Sequence, residues 1–482
     1  MDKQINWHIN DLLEATGGTL MAGPTSGGFA GICIDSRIIR NDQVFIAIKG
    51  QRYDGHAFIP KLMAAGIRGI VVDRPPADHQ QLVKWARDGG CCIMVADTTR
   101  ALGDLAAFHR RRMGVSLAAI TGSNGKTSTR ELAASVVRLE QHTLSTQGNF
   151  NNEIGLPLTL LRLEQSHEAA VVELGMNHPG EIGRLAEISL PDVGVITNIG
   201  PAHLEGMRDI DRVMAAKAEL LEHIKPKGTV ILNGDDPFAG RLAGLAKTRV
   251  IYFGLGGNSD VRLDVRAEAV RQNGVRSDFE LVLPDSRITA TLNAPGPYML
   301  ANALAAAAVG HVLGVSKERI RKGIAQFQPV PGRMAHCVTS RGVNVVDDAY
   351  NANPASMKAA IEALASLKGR HRAMLVAGDM LELGETAAAL HYEVGQAAAV
   401  AGIDRLYVSG TFAGDFAGGA INAGMDKTAV FEGSKAAIKE KLARDLEAGD
   451  WVLVKGSRST AMEQIVQHLL QRDQQAAEGG PG

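Results

Sequence analysis

Short apolar runs alternate with longer amphipathic segments along much of the chain, which is the pattern of strands followed by helices. In the middle of the chain, residues 131–139 and 213–224 have helical periodicity and lie between such runs. Alternation of this kind is typical of a parallel sheet covered by helices on both faces. The predicted strands of this sheet are residues 117–120, 169–172, 193–197, 229–232 and 250–253.

The first part of the chain has a different texture. Residues 1–96 combine an amphipathic helix at 10–15 with short apolar runs at 32–34 and 44–48. Glycine-rich turns separate these segments. The pattern predicts a small mixed α/β unit before the main sheet.

Two prolines and a glycine at 328–332 break helix and strand alike and mark a linker. Before it, alternating polar and apolar positions at 260–291 predict an antiparallel hairpin, and a helix is expected at about 299–313. After it, the strand–helix alternation restarts and continues through 343–470, which predicts a second doubly wound unit. The polar, glycine-containing tail at 473–482 is expected to be disordered.

Composition narrows the classes of partner. The 482 residues carry 51 basic and 52 acidic side chains, so the net charge of -1 gives no electrostatic reason to expect nucleic acid or an anionic membrane. The N-terminus lacks the apolar core of a signal peptide, and the Ala-rich stretch 298–315 carries Asn302 and His311, which favours a packed helix over a membrane span. We therefore expect a cytoplasmic protein. The spacing of its four cysteines, Cys33, Cys91, Cys92 and Cys337, matches neither a zinc site nor a disulfide framework.

The most specific motif is a glycine-containing turn between a predicted strand and a predicted helix. Its glycines let backbone N–H groups face phosphates, Lys126 is placed to reach the β and γ oxygens, and Thr127 offers a hydroxyl to Mg²⁺. The general pattern has a glycine where Ile120 stands, and the alternative is an ordinary strand-to-helix turn. The flanking strand and helix favour nucleotide binding. The loop consists of Gly122, Ser123, Asn124, Gly125, Lys126, Thr127 and Ser128.

With this loop, the chain resembles the Mur ligases and the related folylpolyglutamate synthetases. Further landmarks of the family follow in order: Glu173, His203, Lys217, Asn302, Arg333 and Asp348. The resemblance covers nearly the whole chain. It implies an α/β protein of three domains: a small mixed α/β, UDP-sugar-binding N-terminal domain at 1–96, a central P-loop-type parallel-sheet ATPase domain at 97–329, and a C-terminal Rossmann-like doubly wound domain at 330–482.

Three segments, 148–155, 347–354 and 378–384, resemble the branch of the family that adds D-alanyl-D-alanine. The branch that adds a diamino acid would carry an Asp-Asn-Pro-Arg motif, which this sequence lacks. The resemblance implies ATP-dependent amide bond formation between UDP-N-acetylmuramoyl-tripeptide and D-alanyl-D-alanine through an acyl phosphate. The products would be the UDP-linked pentapeptide, ADP and phosphate, and a monomer is the default expectation.

The resemblance also implies roles for individual residues. Thr127 and Glu173 would hold one Mg²⁺ on the nucleotide phosphates, and His203 with Lys217 would serve a second. Because a cationic lysine cannot bind Mg²⁺, Lys217 is expected to be carbamylated by CO₂, which supplies the oxygen ligands that this ion prefers. The catalytic residues expected are therefore Lys126, Glu173, His203 and Lys217.

Other positions are candidates for substrate contacts. Asn302 would contact adenine, and Arg333 and Asp348 would reach the nucleotide from the third domain, which requires domain closure. The uridine nucleotide is expected at Ser36, Arg37 and the segment 49–56, and the muramyl or diphosphate part at Thr146, Asn151 and Asn152. The incoming dipeptide or the peptide stem is expected at Tyr350, Asn351 and Asn353, and Lys455 to Arg458 are candidates for a carboxylate or a phosphate.

Three alternatives remain open from the residues alone. Another Mur-type or folate-type ligase would share the loop and the metal residues. A nucleotide-binding regulatory or assembly protein would need no second metal site. An oxidoreductase would use the C-terminal unit, but the first strand there is followed by Asp347-Asp348-Ala349-Tyr350 in place of a Gly-x-Gly-x-x-Gly turn.

Overall fold

The computed structural model describes residues 7–50, 52–201, 207, 209–257 and 261–478, with side chains described as far as residue 471. Its N-terminal part contains a five-stranded sheet in which only the first pair of neighbours is antiparallel. The strands in spatial order are Thr19–Ala22, Cys91–Met94, Gly69–Val72, Gln43–Ile46 and Gly31–Cys33, and the helices are Ile9–Thr16, Ile59–Ala64 and His79–Arg87.

The central sheet has nine strands, and its seven-strand parallel portion contains the five strands predicted from the sequence. Residues 260–291 were expected to form a hairpin, whereas the structure has a three-stranded antiparallel meander that extends the sheet. The spatial order is Ser286–Asn293, Arg276–Leu283, Val265–Asn273, Arg249–Gly254, Thr229–Asn233, Val193–Ile196, Ser116–Thr121, Ala169–Glu173 and Thr143–Ser145.

Helices cover both faces of the central sheet and enclose two separate apolar cores. On one face lie Lys126–Val137, Lys317–Gln326 and the Ala-rich helix Pro297–Val312. Small side chains let this last helix approach the sheet closely, so it is buried by protein as the sequence predicted. On the other face lie Thr98–Arg112, Gly155–Leu160, Glu181–Ser189, Ile210–Glu222 and Ala239–Leu245.

The C-terminal part is a six-stranded sheet, parallel except at its first strand. In spatial order its strands are Ala335–Val338, Asn344–Asp348, Trp451–Lys455, Ala373–Gly378, Arg405–Ser409 and Val430–Glu432. Its helices are Pro354–Leu367, Ala387–Val400, Ala413–Asn422, Lys435–Asp445 and Glu463–Glu478. The α/β fold class with three units is therefore confirmed.

Two further local features differ from expectation. The final helix continues to Glu478, where a disordered tail was expected, because glutamine, alanine and glutamate sustain a helix despite their polarity. The helix Ala413–Asn422 was not predicted, since three glycines obscure its helical pattern. It packs against Ala387–Val400, where the absence of a side chain at Gly419 allows contact with the Tyr392 carbonyl. Among the described residues, no helix has the length and apolar character needed to cross a membrane.

Candidate active site

The phosphate loop connects the strand Ser116–Thr121 to the helix Lys126–Val137, as predicted. Two of its glycines are required by geometry. Gly122 has φ of 146°, and a Cβ there would lie 1.9 Å from Thr197 Oγ1. Gly125 has φ of 80°, and a Cβ there would lie 2.3 Å from Asn302 Oδ1. Any side chain at either position would force the loop away from its neighbours.

The loop is held by the segment that follows the neighbouring strand Val193–Ile196. Ser123 N donates to Asn198 O at 2.9 Å, and Asn124 N donates to Asn198 Oδ1 at 2.9 Å. Thr197 Oγ1 donates to the Asn124 carbonyl at 2.6 Å. These bonds fix the loop backbone before any phosphate arrives, so little ordering is left to ligand binding.

Lys126 folds back over this loop. Its Nζ donates to the carbonyls of Gly122 at 2.7 Å and Ser123 at 3.3 Å. Burial lowers the pKa of Lys126, and the nearby carboxylate of Glu173 opposes that shift. The ammonium therefore sits where phosphate oxygens would replace two weaker carbonyl partners.

A cavity of about 440 Å³, here called the loop pocket, lies between the phosphate loop and the C-terminal sheet. Asn302 stands at its inner wall, where Thr129 Oγ1 donates to Asn302 Oδ1 at 3.2 Å. All three predicted nucleotide contacts outside the loop line this pocket, namely Asn302, Arg333 and Asp348.

Asp348 is buried and already engaged. It forms an ion pair with Lys455, and it accepts a hydrogen bond from Met334 N at 3.1 Å. Burial raises the pKa of Asp348, whereas Lys455 and Arg333 act to lower it. Lys455 also donates to the Asn351 carbonyl at 3.0 Å, so this pair fixes the turn that carries Tyr350 and Asn351.

Two contacts join the C-terminal part to the phosphate loop. Asn353 Nδ2 donates to Asn124 Oδ1 at 2.8 Å, while Asn353 Oδ1 caps the helix Pro354–Leu367 by accepting from Ser356 N. Arg333 lies 3.5 Å from Thr127 Oγ1. The described arrangement is therefore a closed one, with the third unit seated on the loop.

A second cavity of about 640 Å³, here called the side cavity, adjoins the loop pocket and reaches Glu173. Asn151 Nδ2 donates to Glu173 Oε1 at 2.8 Å, and Glu173 N donates to Thr146 Oγ1 at 3.1 Å. Thr146 is buried behind Glu173, so its hydroxyl supports the backbone of that residue. Asn152 faces the cavity, and its side chain also accepts from Gly155 N at the start of the next helix.

Arg130 was missed in the sequence. It is almost fully buried one turn after Lys126, donates to the Thr146 carbonyl, and places Nε 3.6 Å from Glu173 Oε2. Both of those atoms lack a hydrogen-bond partner within the described residues. The spacing of four residues from Lys126 puts it on the same helix face, which is the signal that would have identified it.

Lys217 lies in the helix Ile210–Glu222 and is only 1% exposed, so it is not an ordinary solvated lysine. Burial, assisted by the charge of Lys126, holds its pKa well below the usual range of lysine. Its predicted partner His203 lies outside the described residues. Within the described ranges, no group of three His, Cys, Asp or Glu side chains is arranged to hold a metal ion.

A third cavity of about 1780 Å³, here called the N-terminal groove, separates the N-terminal sheet from the central one. Ser36 and Arg37 line it, and the Arg37 guanidinium pairs with Asp35, lowering the pKa of that carboxyl to about 2. Three large apolar side chains at its edge, Ile38, Tyr53 and Phe150, are exposed.

The loop pocket and the side cavity share one wall. Lys126, Thr127, Arg333, Asn351 and Arg458 line both. Tyr350, which faces the side cavity, lies against two of these guanidiniums: Arg333 Cζ is 4.0 Å and Arg458 Cζ 5.3 Å from the ring centroid. The structure thus brings Tyr350 and Asn351 to this wall and Asn353 to the loop itself.

Three segments match known domain families. Residues 29–110 match "Mur ligase family, catalytic domain", residues 120–310 match "Mur ligase middle domain", and residues 332–458 match "Mur ligase, glutamate ligase domain". Together they cover all three structural units.

Similar proteins span nearly the whole chain. The UDP-N-acetylmuramoyl-tripeptide--D-alanyl-D-alanine ligase of Escherichia coli is 36% identical over 442 residues, 91% of this chain and 93% of that protein. The enzyme of the same name from Bacillus subtilis is 34% identical over 92% of this chain and 93% of that protein. A crystal structure of MurF from Acinetobacter baumannii, 33% identical, superposes with a TM-score of 0.87 over 97% of this chain and 99% of the other. MurF from Thermotoga maritima in complex with ADP, 27% identical, gives 0.81 over 92% and 98%. The chain belongs to the Mur ligase family.

Proposed function

We propose that this chain is an ATP-dependent ligase that joins UDP-N-acetylmuramoyl-tripeptide to D-alanyl-D-alanine. The observation that carries the proposal is the wall shared by the loop pocket and the side cavity. A triphosphate gripped by residues 122–128 would present its terminal phosphate at Lys126 and Thr127, where an acceptor in the side cavity can meet it. Relatives that match over nine-tenths of the chain carry the name of this activity.

The reaction proceeds in two steps. An oxygen of the tripeptide carboxylate attacks the γ-phosphorus, the bond to the β-phosphate oxygen breaks, and ADP leaves behind an acyl phosphate. The dipeptide amine then attacks the acyl carbon. The tetrahedral intermediate loses inorganic phosphate and the nitrogen loses a proton. Both donor and acceptor are anions in the first step, so positive charge at the reacting oxygens is essential, and Lys126 and Arg333 stand at the shared wall to provide it.

The residues beside the loop fit a magnesium ion. Glu173 Oε2 is buried and lacks a hydrogen-bond partner among the described residues, and the Thr127 hydroxyl lines the same cavity. Hard oxygen donors of this kind suit Mg²⁺, which when bound neutralises charge on the phosphates. Asn151 and Thr146 orient the Glu173 carboxylate, and Arg130 balances its charge.

Carbamylation of Lys217 is part of the proposal. Burial and the charge of Lys126 hold the pKa of Lys217 well below its usual range, which favours the neutral amine, the form that reacts with CO₂. The nitrogen–carbon bond forms, one proton leaves, and a carboxylate-like group results that could serve a second Mg²⁺ together with His203. The alternative is an unmodified lysine.

The substrates are assigned to the remaining cavities by size and chemistry. The N-terminal groove, with Ser36, Arg37 and Tyr53 along its length, would hold the uridine nucleotide end. Phe150 faces the groove, whereas Asn151 and Asn152 face the side cavity. The muramyl part would therefore lie along this loop, between the two cavities. The same proposal includes domains that end at residues 96 and 329, a monomeric state and a cytoplasmic location.

A substrate matrix tests the proposal. UDP-muramyl tripeptide and dipeptide, a folate acceptor and buffer alone are each combined with D-Ala-D-Ala, D-Ala, L-Glu or a diamino acid, and ADP release is measured. We expect rapid release only with tripeptide and D-Ala-D-Ala together, with a pentapeptide product by mass spectrometry. Equal turnover with L-Glu, or with a folate acceptor, would assign the chain to another ligase of this type. ATP binding without turnover in any combination would favour a regulatory protein.

A further inference from the structure

Four cationic side chains face the side cavity: Lys126, Arg130, Arg333 and Arg458. Three of them are committed to tasks already described. Lys126 donates to the Gly122 carbonyl of the phosphate loop, Arg130 is buried against Glu173, and Arg333 lies next to Thr127. Arg458 is the member of the four left without such a task.

Arg458 has a largely free guanidinium. Its side chain is 63% exposed, and its ion pair with Glu463 is long, at 3.4 Å. The Tyr350 ring, 5.3 Å from Arg458 Cζ, lies beside the guanidinium within reach of a cation–π contact. A largely exposed guanidinium held by an aromatic ring at a cavity wall is suited to receive an anion.

The backbone beneath Arg458 is rigid. Ser457 N donates to the Asp379 carbonyl at 2.9 Å, and Ser457 Oγ accepts from Leu381 N at 2.9 Å. A Cβ at Gly456 would lie 2.7 Å from Met462 Cγ, so the turn is packed against its neighbours. The guanidinium therefore projects from a fixed base, which reduces the ordering that binding requires.

The incoming dipeptide supplies an anion that takes no part in the bond-forming steps. Its amine reacts, but its C-terminal carboxylate remains charged and must enter the cavity. A carboxylate taken from water needs a charged hydrogen-bonding partner, and a guanidinium can bind both of its oxygens. Resting on the proposed function, we propose that Arg458 determines specificity for the incoming dipeptide by binding its C-terminal carboxylate, with Tyr350 positioning the guanidinium.

The test compares D-Ala-D-Ala with its C-terminal amide as acceptors, for the wild type and Arg458→Met. The wild type should prefer the acid, and the KM for D-Ala-D-Ala should rise on the order of 10- to 100-fold in the variant, the usual range for a lost charge-assisted hydrogen bond. The KM for the amide should change little, so the preference disappears. Arg458→Lys should retain part of it, and Arg444→Met, an exposed arginine that lines neither cavity, serves as the control.

The outcomes separate the two proposals. An acid-to-amide preference equal in wild type and Arg458→Met would overturn the role of Arg458, as would a rise confined to the KM for ATP, which would assign the residue to phosphate. A wild type that never uses D-Ala-D-Ala would instead refute the proposed function. Tyr350→Leu should weaken the preference more than Tyr350→Phe, because the ring, not the hydroxyl, faces the guanidinium. Thermal unfolding of every variant distinguishes lost recognition from lost folding.

Discussion

The loop pocket and the N-terminal groove are built in contrasting ways. The loop pocket is small, about 440 Å³, and the polar groups of its loop are already bonded: Thr197 Oγ1 donates to the Asn124 carbonyl, and Asn198 Oδ1 accepts from Asn124 N. The groove is four times larger, about 1780 Å³, and large apolar side chains such as Ile38 and Tyr53 are exposed at its edge. One site is organised before binding, whereas the other leaves much of its contact surface for the ligand to cover.

This contrast predicts where substitutions act. In the loop pocket, charged side chains are buried and residues from two units meet, so a single change should affect the chemistry strongly. In the groove, exposed side chains contribute little to folding, so changes should alter substrate binding alone.

Lys126→Ala should have the largest effect. Removing the ammonium from the phosphate loop should reduce turnover about 10³-fold, the range seen when a single charge-stabilising group is lost. Circular dichroism and the Tm should stay close to wild type, because the bonds from Ser123 N and Asn124 N to Asn198 hold the loop independently of this side chain. The exposed Lys84→Ala is the control. Near wild-type turnover in Lys126→Ala would contradict the assignment of the loop.

Lys217→Ala should come next, with turnover reduced on the order of 100-fold, the loss typical when a group that serves a metal is removed. A short carboxylate such as acetate should restore part of the activity by occupying the vacated volume. Labelled ¹³CO₂ should give a carbamate carbon signal in the wild type and not in the variant, while Lys227→Ala, an exposed lysine nearby, should keep it. Full activity of Lys217→Ala in CO₂-free buffer would remove the proposed role.

Asn353→Ser should produce a moderate effect. Serine caps the helix Pro354–Leu367 almost as well but is too short to reach Asn124, so only the bond between units is lost. We expect about a fivefold rise in the KM for ATP, as for one neutral hydrogen bond. Ser434→Ala, which removes a helix cap remote from the loop, should lower the Tm without this rise. An unchanged KM in Asn353→Ser would show that the closed arrangement does not depend on this contact.

Tyr53→Ala should have the smallest effect. The side chain is 75% exposed, so stability should change by less than about 0.5 kcal/mol. The KM for the UDP-linked tripeptide should rise roughly two- to threefold if the ring packs on the ligand, and Tyr53→Phe should restore most of the loss. Isothermal titration with the UDP-linked substrate and, separately, with ATP would measure both affinities. A weaker affinity for ATP would break the distinction between the two sites.

The same contrast explains what the sequence could reveal. The phosphate loop is one continuous segment between a strand and a helix, so its position and its glycines could be recognised before the fold was known. The family landmarks placed Asn302, Arg333 and Asp348, and the structure brings all three to the loop pocket. The α/β fold class followed from strand and helix periodicity, which the central and C-terminal units both show, and the family resemblance implied the three domains.

Other features depend on contacts between segments far apart in the chain. Arg130 looks like a surface helix residue until Thr146 and Glu173 pack against it. Arg458 shares a cavity wall with Lys126, Arg130 and Arg333, which lie far from it in the sequence, so no spacing could reveal this cluster. The meander at 265–293 has one strand more than the expected hairpin. Its first strand also pairs with Arg249–Gly254, and this pairing depends on the neighbouring strand of the sheet and not on the local sequence pattern.

The wall shared by the loop pocket and the side cavity has a practical consequence for inhibitor chemistry. A compound bound to this wall in one of the two cavities would displace side chains that also line the other cavity. A single small molecule could therefore displace the nucleotide and exclude the acceptor together. Substitutions of the wall residues that confer resistance to such a compound would also impair the enzyme.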